Sequence, residues 1–335
     1  MDREPLLFVT EEGHALATAR LLFTPTKITR ITGPAGVPKY VEGKDFVWKP
    51  GTNLLTLTAD SRIPFKTRAQ MHPMNGEPHS IASGIGVSSG LLWSEGNFFQ
   101  TLQVEATYDH EEAWTVPAPD QPGVRLSATI DKLKAKTPLR LVILGDSISQ
   151  GGNASGFIKA APYQPPYPDL VVAGLESHYR LAPGTISLVN LSVGGTSSSW
   201  GVDMIPTVVA EGPDLVVIAF GMNDTACSDP QHFRRNIAEI IAGVRQYCPD
   251  AQFILVASMA GNPEWKILRG ERFTQFRDQL MNLRTQGIDV ADVTTLWERL
   301  MQVKKFTDLT GNGVNHPNDF GHRLYAQIIL QLLAP

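Results

Sequence analysis

Arg140-Leu141-Val142-Ile143-Leu144 runs directly into Gly145-Asp146-Ser147-Ile148-Ser149. The first five residues form an apolar run of the kind expected in a strand covered on both faces. The next five turn polar and glycine-led, as where such a strand ends in a loop. Three further runs have the same character: Ile186-Ser187-Leu188-Val189, Leu215-Val216-Val217-Ile218-Ala219-Phe220 and Phe253-Ile254-Leu255-Val256-Ala257. Ile288-Asp289-Val290 is a weaker fifth. Helices are predicted between and after them, at roughly residues 167–180, 233–247, 272–284 and 318–333. In the second of these, Ile237, Ile240, Ile241 and Val244 fall on one stripe at helical spacing. Strand–helix alternation predicts an α/β fold, with a parallel sheet covered by helices on both faces. Ligands bind such sheets beyond the carboxyl ends of the strands.

Upstream the rhythm differs. To about residue 130, short β-type runs (residues 26–31, 53–58 and 98–108) alternate with turns such as Gly33-Pro34-Ala35-Gly36, Pro50-Gly51 and Asn75-Gly76. This spacing predicts an all-β sandwich or jelly roll. Pro117-Ala118-Pro119-Asp120-Gln121-Pro122-Gly123 suits a boundary. The chain is therefore read as an accessory β domain over residues 1–130 and an α/β domain over residues 131–335. Gly86-Val87-Ser88-Ser89-Gly90 fits the nucleophile-elbow pattern, but that pattern has meaning only between a strand and a helix. In this β-rich half it is read as a turn.

Composition narrows the function. The 335 residues carry 29 Lys plus Arg against 33 Asp plus Glu, a formal charge of -4. No basic field is present to hold phosphate backbones, so nucleic acid is not an expected partner. With 42% hydrophobic residues, a packed core is expected. No apolar run approaches the ~20 residues of a membrane span. The acidic start, Met1-Asp2-Arg3-Glu4-Pro5, does not resemble a leader peptide. As written the chain reads as cytoplasmic, or as secreted or periplasmic if a leader has been removed. Cys227 and Cys248 read as two buried free thiols rather than a disulfide framework.

At the strand ends stand Gly145-Asp146-Ser147, then Asn190-Leu191-Ser192-Val193-Gly194-Gly195-Thr196, then Gly221-Met222-Asn223-Asp224. Asn315-His316-Pro317-Asn318 follows just before the last predicted helix. Acyl transfer needs a nucleophile, a base and donors aimed at the developing oxyanion. Ser147 supplies a hydroxyl. His316 supplies a base that works near neutral pH. Pro317 suits a first helical turn and so fixes the histidine ahead of a rigid element.

Serine, glycine, asparagine and histidine in this order resemble the four blocks of the SGNH (GDSL-type) hydrolase superfamily, over about residues 138–335. The resemblance implies a flavodoxin-like three-layer α/β/α domain with Ser147 as nucleophile and His316 as general base and acid. It also implies an oxyanion hole built from the N–H groups of Ser147 and Gly195 and the Asn223 amide. Asp146 and Asp224 read as loop ties.

One position departs from the pattern. The family's aspartate stands three residues before its histidine, where this chain has Gly313. The group orienting His316 is expected to be Asp308 first, a backbone carbonyl next, and Asp319 last.

A β-sandwich ahead of such a domain is similar to two-domain carbohydrate acetylesterases. That points to removal of O-acetyl groups from a sugar or plant polysaccharide. Trp200 and Asn262 are candidate substrate-binding residues, with a core position the other reading of Trp200. The alternatives are a broad short-chain esterase, lysophospholipase or thioesterase, and, in another class, a non-catalytic carbohydrate-binding protein. No metal-ligand spacing, phosphate loop or dinucleotide fingerprint is present in the sequence, so no cofactor or metal is expected.

Overall fold

Five buried strands build the central sheet: β1 (Leu139–Gly145), β2 (Ile186–Asn190), β3 (Leu215–Ala219), β4 (Gln252–Ala257) and β5 (Ile288–Asp292). They are all parallel, in the order β2-β1-β3-β4-β5. The computed structural model describes residues 1–113, 119–120 and 122–334. Along β1 and β3 the side chains alternate between faces, as the strand period requires. Leu141, Ile143, Leu215 and Val217 join a cluster with Val171, Leu175, Ile329 and Leu332 from helices Tyr167–Tyr179 and Asp319–Leu333. Val142, Leu144, Val216 and Ile218 join the opposite cluster, with Ile237, Ile240 and Val244 of helix Pro230–Tyr247. The result is a three-layer α/β/α sandwich. Each fully buried Leu, Ile or Val contributes about 1.5–3 kcal/mol, so these two clusters carry most of the driving force for this half.

Helix Pro230–Tyr247 shows how local sequence sets an element. The Asp229 side chain caps it by accepting from His232 N–H at 2.8 Å, and Pro230 occupies the first turn. Its buried positions are 233, 236, 237, 240, 241 and 244, a single apolar stripe apart from Asn236.

The order β2-β1-β3 places a reversal of winding between β1 and β3, because the chain leaves β1 first to one side and then to the other. Ser147 follows β1 and Asn223 follows β3, so the two flank this crevice.

The N-terminal half is a β-sandwich. One antiparallel sheet orders Glu4–Leu6, Val104–Asp109, Lys27–Thr32 and Lys39–Tyr40; the other orders Phe46–Trp48, Leu54–Leu57, Thr18–Arg20, Phe8–Thr10 and Phe65–Thr67. Leu6, Ile31, Val104 and Ala106 from the first share a cluster with Phe8, Ala19, Leu55 and Leu57 from the second. Residues 98–102, expected as β, form a short helix, Phe98–Leu102, before strand Val104–Asp109. Phe99, which is buried, packs there against Leu7, Val9, Met71 and Leu92; this tertiary contact overrides local β preference. Gly86-Val87-Ser88-Ser89-Gly90 sits in and at the end of the loop of a hairpin, Ser80–Ala82 with Gly90–Leu92.

Pro117, Ala118 and Gln121 of the expected link lie outside the described residues. Helix Ser127–Ala135 runs across residue 130 and buries Leu133 in the cluster with Leu139 and Leu141. We therefore group it with the α/β half. Cys227 is exposed and Cys248 half-buried, both free, so the expectation of two buried thiols does not hold. Cys227 ends a four-residue helix at a strand-end loop. Among the described residues no helix is long and apolar enough to cross a membrane.

The halves share one hydrophobic cluster and a buried ionic clasp. Lys304 Nζ donates to Glu4 Oε1 at 2.7 Å and to the carbonyls of Arg20 at 2.7 Å and Pro5 at 3.1 Å. Glu4 also accepts from Leu22 N–H and the Tyr108 hydroxyl. Both charged side chains are 1% exposed. Removing one partner of such a pair strands the other charge in the interior, at a cost of about 3–5 kcal/mol. Glu4→Gln leaves Lys304 its two carbonyls and Asp308 3.5 Å away, so it is expected to lower the unfolding free energy by less than that in urea titration; an unchanged midpoint would show that the clasp does not hold the halves.

Candidate active site

Ser147 opens the helical turn Ser147–Gln150 at the end of β1. Asp146 caps that turn, accepting from Ile148 N–H at 3.0 Å. Burial pushes the Asp146 carboxyl up to about 7; the Ile148 bond and the charge of His316 oppose the shift, and Asp224 adds to it. Asp224 accepts from the N–H and hydroxyl of Ser198, tying the loop after β3 to the one after β2. Both aspartates act within the scaffold.

The His316 ring is held from both sides. Nε2 lies 2.9 Å from Ser147 Oγ, and Nδ1 lies 2.6 Å from Asn153 Oδ1. The orientation of the Asn153 carboxamide follows from its other contacts. Nδ2 stands 2.9 Å from Gly96 O and 3.1 Å from Gly311 O, two acceptors that require a donor. Oδ1 therefore faces the ring and needs a proton from Nδ1. That tautomer leaves the Nε2 lone pair directed at Ser147 Oγ, the arrangement a general base requires.

The backbone around these groups is equally specific. A Cβ on Gly152 would stand 2.9 Å from Ser147 O and 3.0 Å from His316 Nδ1, so only glycine lets the ring sit this close. Gly195 has φ +79°, a conformation that favours glycine. Gly194 N–H is engaged by Gln150 Oε1 at 3.1 Å. Among the described residues, the N–H groups of Gly195 and Ser147 have no protein partner. Asn223 Nδ2 donates to Thr196 O at 2.8 Å, which leaves its second amide hydrogen unused. Unused donor hydrogens thus stand on the loops that follow β1, β2 and β3.

The expected orienters of His316 lie elsewhere. Asp308 Oδ1 accepts from Leu7 N–H at 2.8 Å and Oδ2 from Lys305 N–H at 3.1 Å, with Lys304 Nζ 3.5 Å away. This carboxylate is satisfied by one donor from the N-terminal half and two from its own loop, and none of its contacts is with His316. Asp319 accepts from Ser155 N–H at 2.8 Å. Among the described residues no backbone carbonyl meets Nδ1 either: the Asn153 side chain occupies the position. Trp200 is half-buried and packs edge-on to Phe220 at 6.3 Å, at the margin of the cluster beneath helix Pro230–Tyr247. Asn262 is buried, and its amide braces the histidine loop: Nδ2 donates to Gly313 O, Oδ1 accepts from Glu264 N–H, and its own N–H meets Val314 O.

Three residues had no catalytic reading in the sequence, where Asn153 stood only in a match to a glycosylation acceptor, Asn153-Ala154-Ser155. Asn153 follows Gly151-Gly152 just past the serine; its left-handed φ of 61° lets it turn back onto His316. Asn312, fully buried, accepts at Oδ1 from the N–H groups of Val314, Asn315 and His316. Glu95 reaches in from the β-rich half, Oε2 3.5 Å from His316 Nδ1. The two asparagines lie close to recognised blocks and a search for side-chain amides there could have raised them. Glu95 carried no local signal.

The GDSL-like lipase/acylhydrolase family model matches residues 143–324, more than half of the chain. Among solved structures, the chain is similar to LAE5, an alpha/beta hydrolase enzyme from the metagenome of Lake Arreo, Spain. That match has 21% identity over 59% of this chain and 97% of that one, with a TM-score of 0.46. It is also similar to a catalytic mutant of Axe2, an acetylxylan esterase from Geobacillus stearothermophilus: 18% identity, 59% of this chain, 94% of that one, TM-score 0.47. A third similarity is to CEX, a two-domain esterase active on acetylated mannans: 21% identity, 64% of this chain, 53% of that one, TM-score 0.49. No curated protein sequence matches the chain.

The raised Asp146 carboxyl has a consequence for stability. Its folded pKa, about 7, exceeds the unfolded 3.8, so folding favours the protonated form. That stabilisation is fully present below the unfolded value and is lost as pH rises towards 7. Asp146→Asn keeps an acceptor for Ile148 N–H but cannot ionise. Its unfolding free energy is expected to gain on the parent's steadily between pH 4 and pH 7, measured by denaturant titration at each pH. Parallel curves would contradict this.

Proposed function

This chain belongs to the GDSL-like lipase/acylhydrolase family, and on that premise we propose that it is a serine carboxyl-ester hydrolase acting through an acyl-enzyme on Ser147. The observation that carries the reading is the 2.9 Å approach of Ser147 Oγ to His316 Nε2, together with the N–H groups of Ser147 and Gly195, which have no protein partner among the described residues. In this scheme Ser147 Oγ attacks the ester carbonyl as its proton passes to His316 Nε2. The oxyanion is met by the N–H groups of Ser147 and Gly195 and by Asn223 Nδ2. His316 then returns the proton to the departing alcohol, and water, deprotonated by the same ring, releases the acid. Each oxyanion donor of this kind is worth about 10²–10³ in rate, so Asn223→Ala is expected to lower kcat by that order while leaving the fold intact by circular dichroism.

For the substrate we propose an acetyl group on a sugar or polysaccharide. Two features support this. The side chains bonded to His316 or to the strand-end loops are polar — Gln150, Asn153, Thr196, Asn223 and Glu95 — and suit a small acyl group on a polyhydroxylated alcohol better than a long alkyl chain. The β-sandwich ahead of the hydrolase half is similar to the arrangement of two-domain carbohydrate acetylesterases.

Two measurements test the proposal. A fluorophosphonate should label the protein and fail to label Ser147→Ala; an unlabelled parent would defeat the enzymatic reading. Nitrophenyl esters of rising chain length, run beside acetylated xylan, should show a sharp fall in kcat/KM beyond acetate. A preference for octanoate would instead favour a lysophospholipase or thioesterase.

A further inference from the structure

The family's aspartate is absent at position 313, yet the His316 ring is not without an anion. Glu95 lies in the segment between strand Gly90–Leu92 and helix Phe98–Leu102, outside the residues matched by the family model. Three hydrogen bonds fasten this segment to the histidine loop and its support. Ser94 N–H donates to Asn312 O at 3.2 Å, Asn312 Nδ2 donates to Glu95 Oε1 at 3.0 Å, and Asn153 Nδ2 donates to Gly96 O at 2.9 Å. The free oxygen of the Glu95 carboxylate, Oε2, is then directed at His316 Nδ1, 3.5 Å away.

We propose that Glu95, supplied by the β-rich half, is the anionic positioning residue of His316, sharing the Nδ1 side of the ring with the neutral Asn153. This rests on the Ser147–His316 reading given above. The division of labour follows from geometry and charge. Asn153 makes the short bond and fixes the tautomer but carries no charge. Glu95 is too far for a strong hydrogen bond, yet near enough to stabilise the imidazolium that forms when Ser147 gives up its proton. Asn312 holds the carboxylate in place from below, using one carboxamide to shape the histidine loop and to orient Glu95. Although burial opposes its charge, the bond and charge of His316 and the Asn312 bond hold the Glu95 carboxyl below the usual range, consistent with an ionised partner. The Glu95 side chain is 52% exposed, so water screens it and its effect is smaller than that of a buried triad aspartate.

Glu95→Gln keeps an acceptor for Asn312 Nδ2 and removes the charge. With nitrophenyl acetate, kcat is expected to fall about tenfold, well short of the ~10⁴-fold loss on neutralising a buried triad aspartate, with KM unchanged. The imidazole without its anion is a weaker base, so the acid limb of the kcat/KM profile should move to lower pH. Glu95→Asp, which retains the charge on a shorter stem, should recover part of both effects and covers the case in which the glutamine variant folds poorly. Three outcomes would overturn the proposal: a Glu95→Gln rate equal to the parent's, a loss carried by KM, or a loss of kcat with the acid limb unmoved. Failure here is separable from failure of the esterase reading. In the first case the parent still hydrolyses the ester and is labelled on Ser147; in the second it does neither.

Discussion

One imidazole has to satisfy two hydrogen bonds at once, from Nε2 to Ser147 and from Nδ1 to Asn153, and much of the local structure exists to keep the His316 ring in the single plane where both are made. The ring has little freedom. The backbone N–H of His316 donates to Asn312 Oδ1, its backbone carbonyl accepts from Gly311 N–H and Thr310 Oγ1, and Gly152 lies against the ring with no room for a Cβ. Pro317 and the Asn318 cap then start the last helix, whose buried face, including Tyr325, Ile329 and Leu332, anchors the loop to the sheet. A site that must hold reacting atoms to within tenths of an ångström is better built on such elements than on a free loop.

The same loop is where the two halves of the chain meet. Asp308, eight residues before His316, receives Leu7 N–H, and Lys304 is buried against Glu4. Gln103 donates to the carbonyls of Thr307 and Thr310 and accepts from Asn318. These bonds cross between residues some 200 to 300 positions apart, so they form only once both halves have folded. The catalytic half in isolation would lose the Glu4 partner of Lys304, the Leu7 N–H on Asp308 and the Gln103 bonds to the loop carbonyls, each costing about 1–3 kcal/mol where the group stays buried. The β-sandwich is therefore part of the folded environment of the histidine, whatever else it binds.

How far the sequence could be read follows from which interactions are local. The five strands, the four long helices and the alternation between them were legible because parallel strands need unbroken apolar runs and surface helices need a stripe. Phe98–Leu102 was misread because its conformation is decided by Phe99 burying into a cluster drawn from distant segments. At the site, Ser147, Gly195, Asn223 and His316 stood out because they lie at strand ends or before a helix and together resemble the four blocks of a known superfamily. The orienter of His316 did not. Asp308 was a sound expectation by spacing, but one of its oxygens is taken by Leu7 N–H from the other half and the second by Lys305 N–H as a helix cap, and nothing near it in the sequence reports the first. Trp200 and Asn262 sit beside recognised strand ends yet point into packing and into a loop brace.

Replacing a buried aspartate by an asparagine and a half-exposed glutamate is a different solution to one electrostatic problem. An aspartate beside the ring must be taken out of water, and that desolvation opposes the ionised form it needs to be useful. Asp146 illustrates the cost within this same site: it is fully buried without a cationic partner in contact, and its carboxyl is pushed up to about 7. Asn153 avoids the penalty, since its amide is neutral and all its polar atoms are bonded. Glu95 keeps its charge by remaining in contact with solvent and by taking the Asn312 bond. The orientation and the charge that one aspartate would supply together are then delivered by two side chains from the two halves of the chain. Such a site forms only when both halves are docked, which ties the chemistry of the hydrolase half to the presence of the β-sandwich.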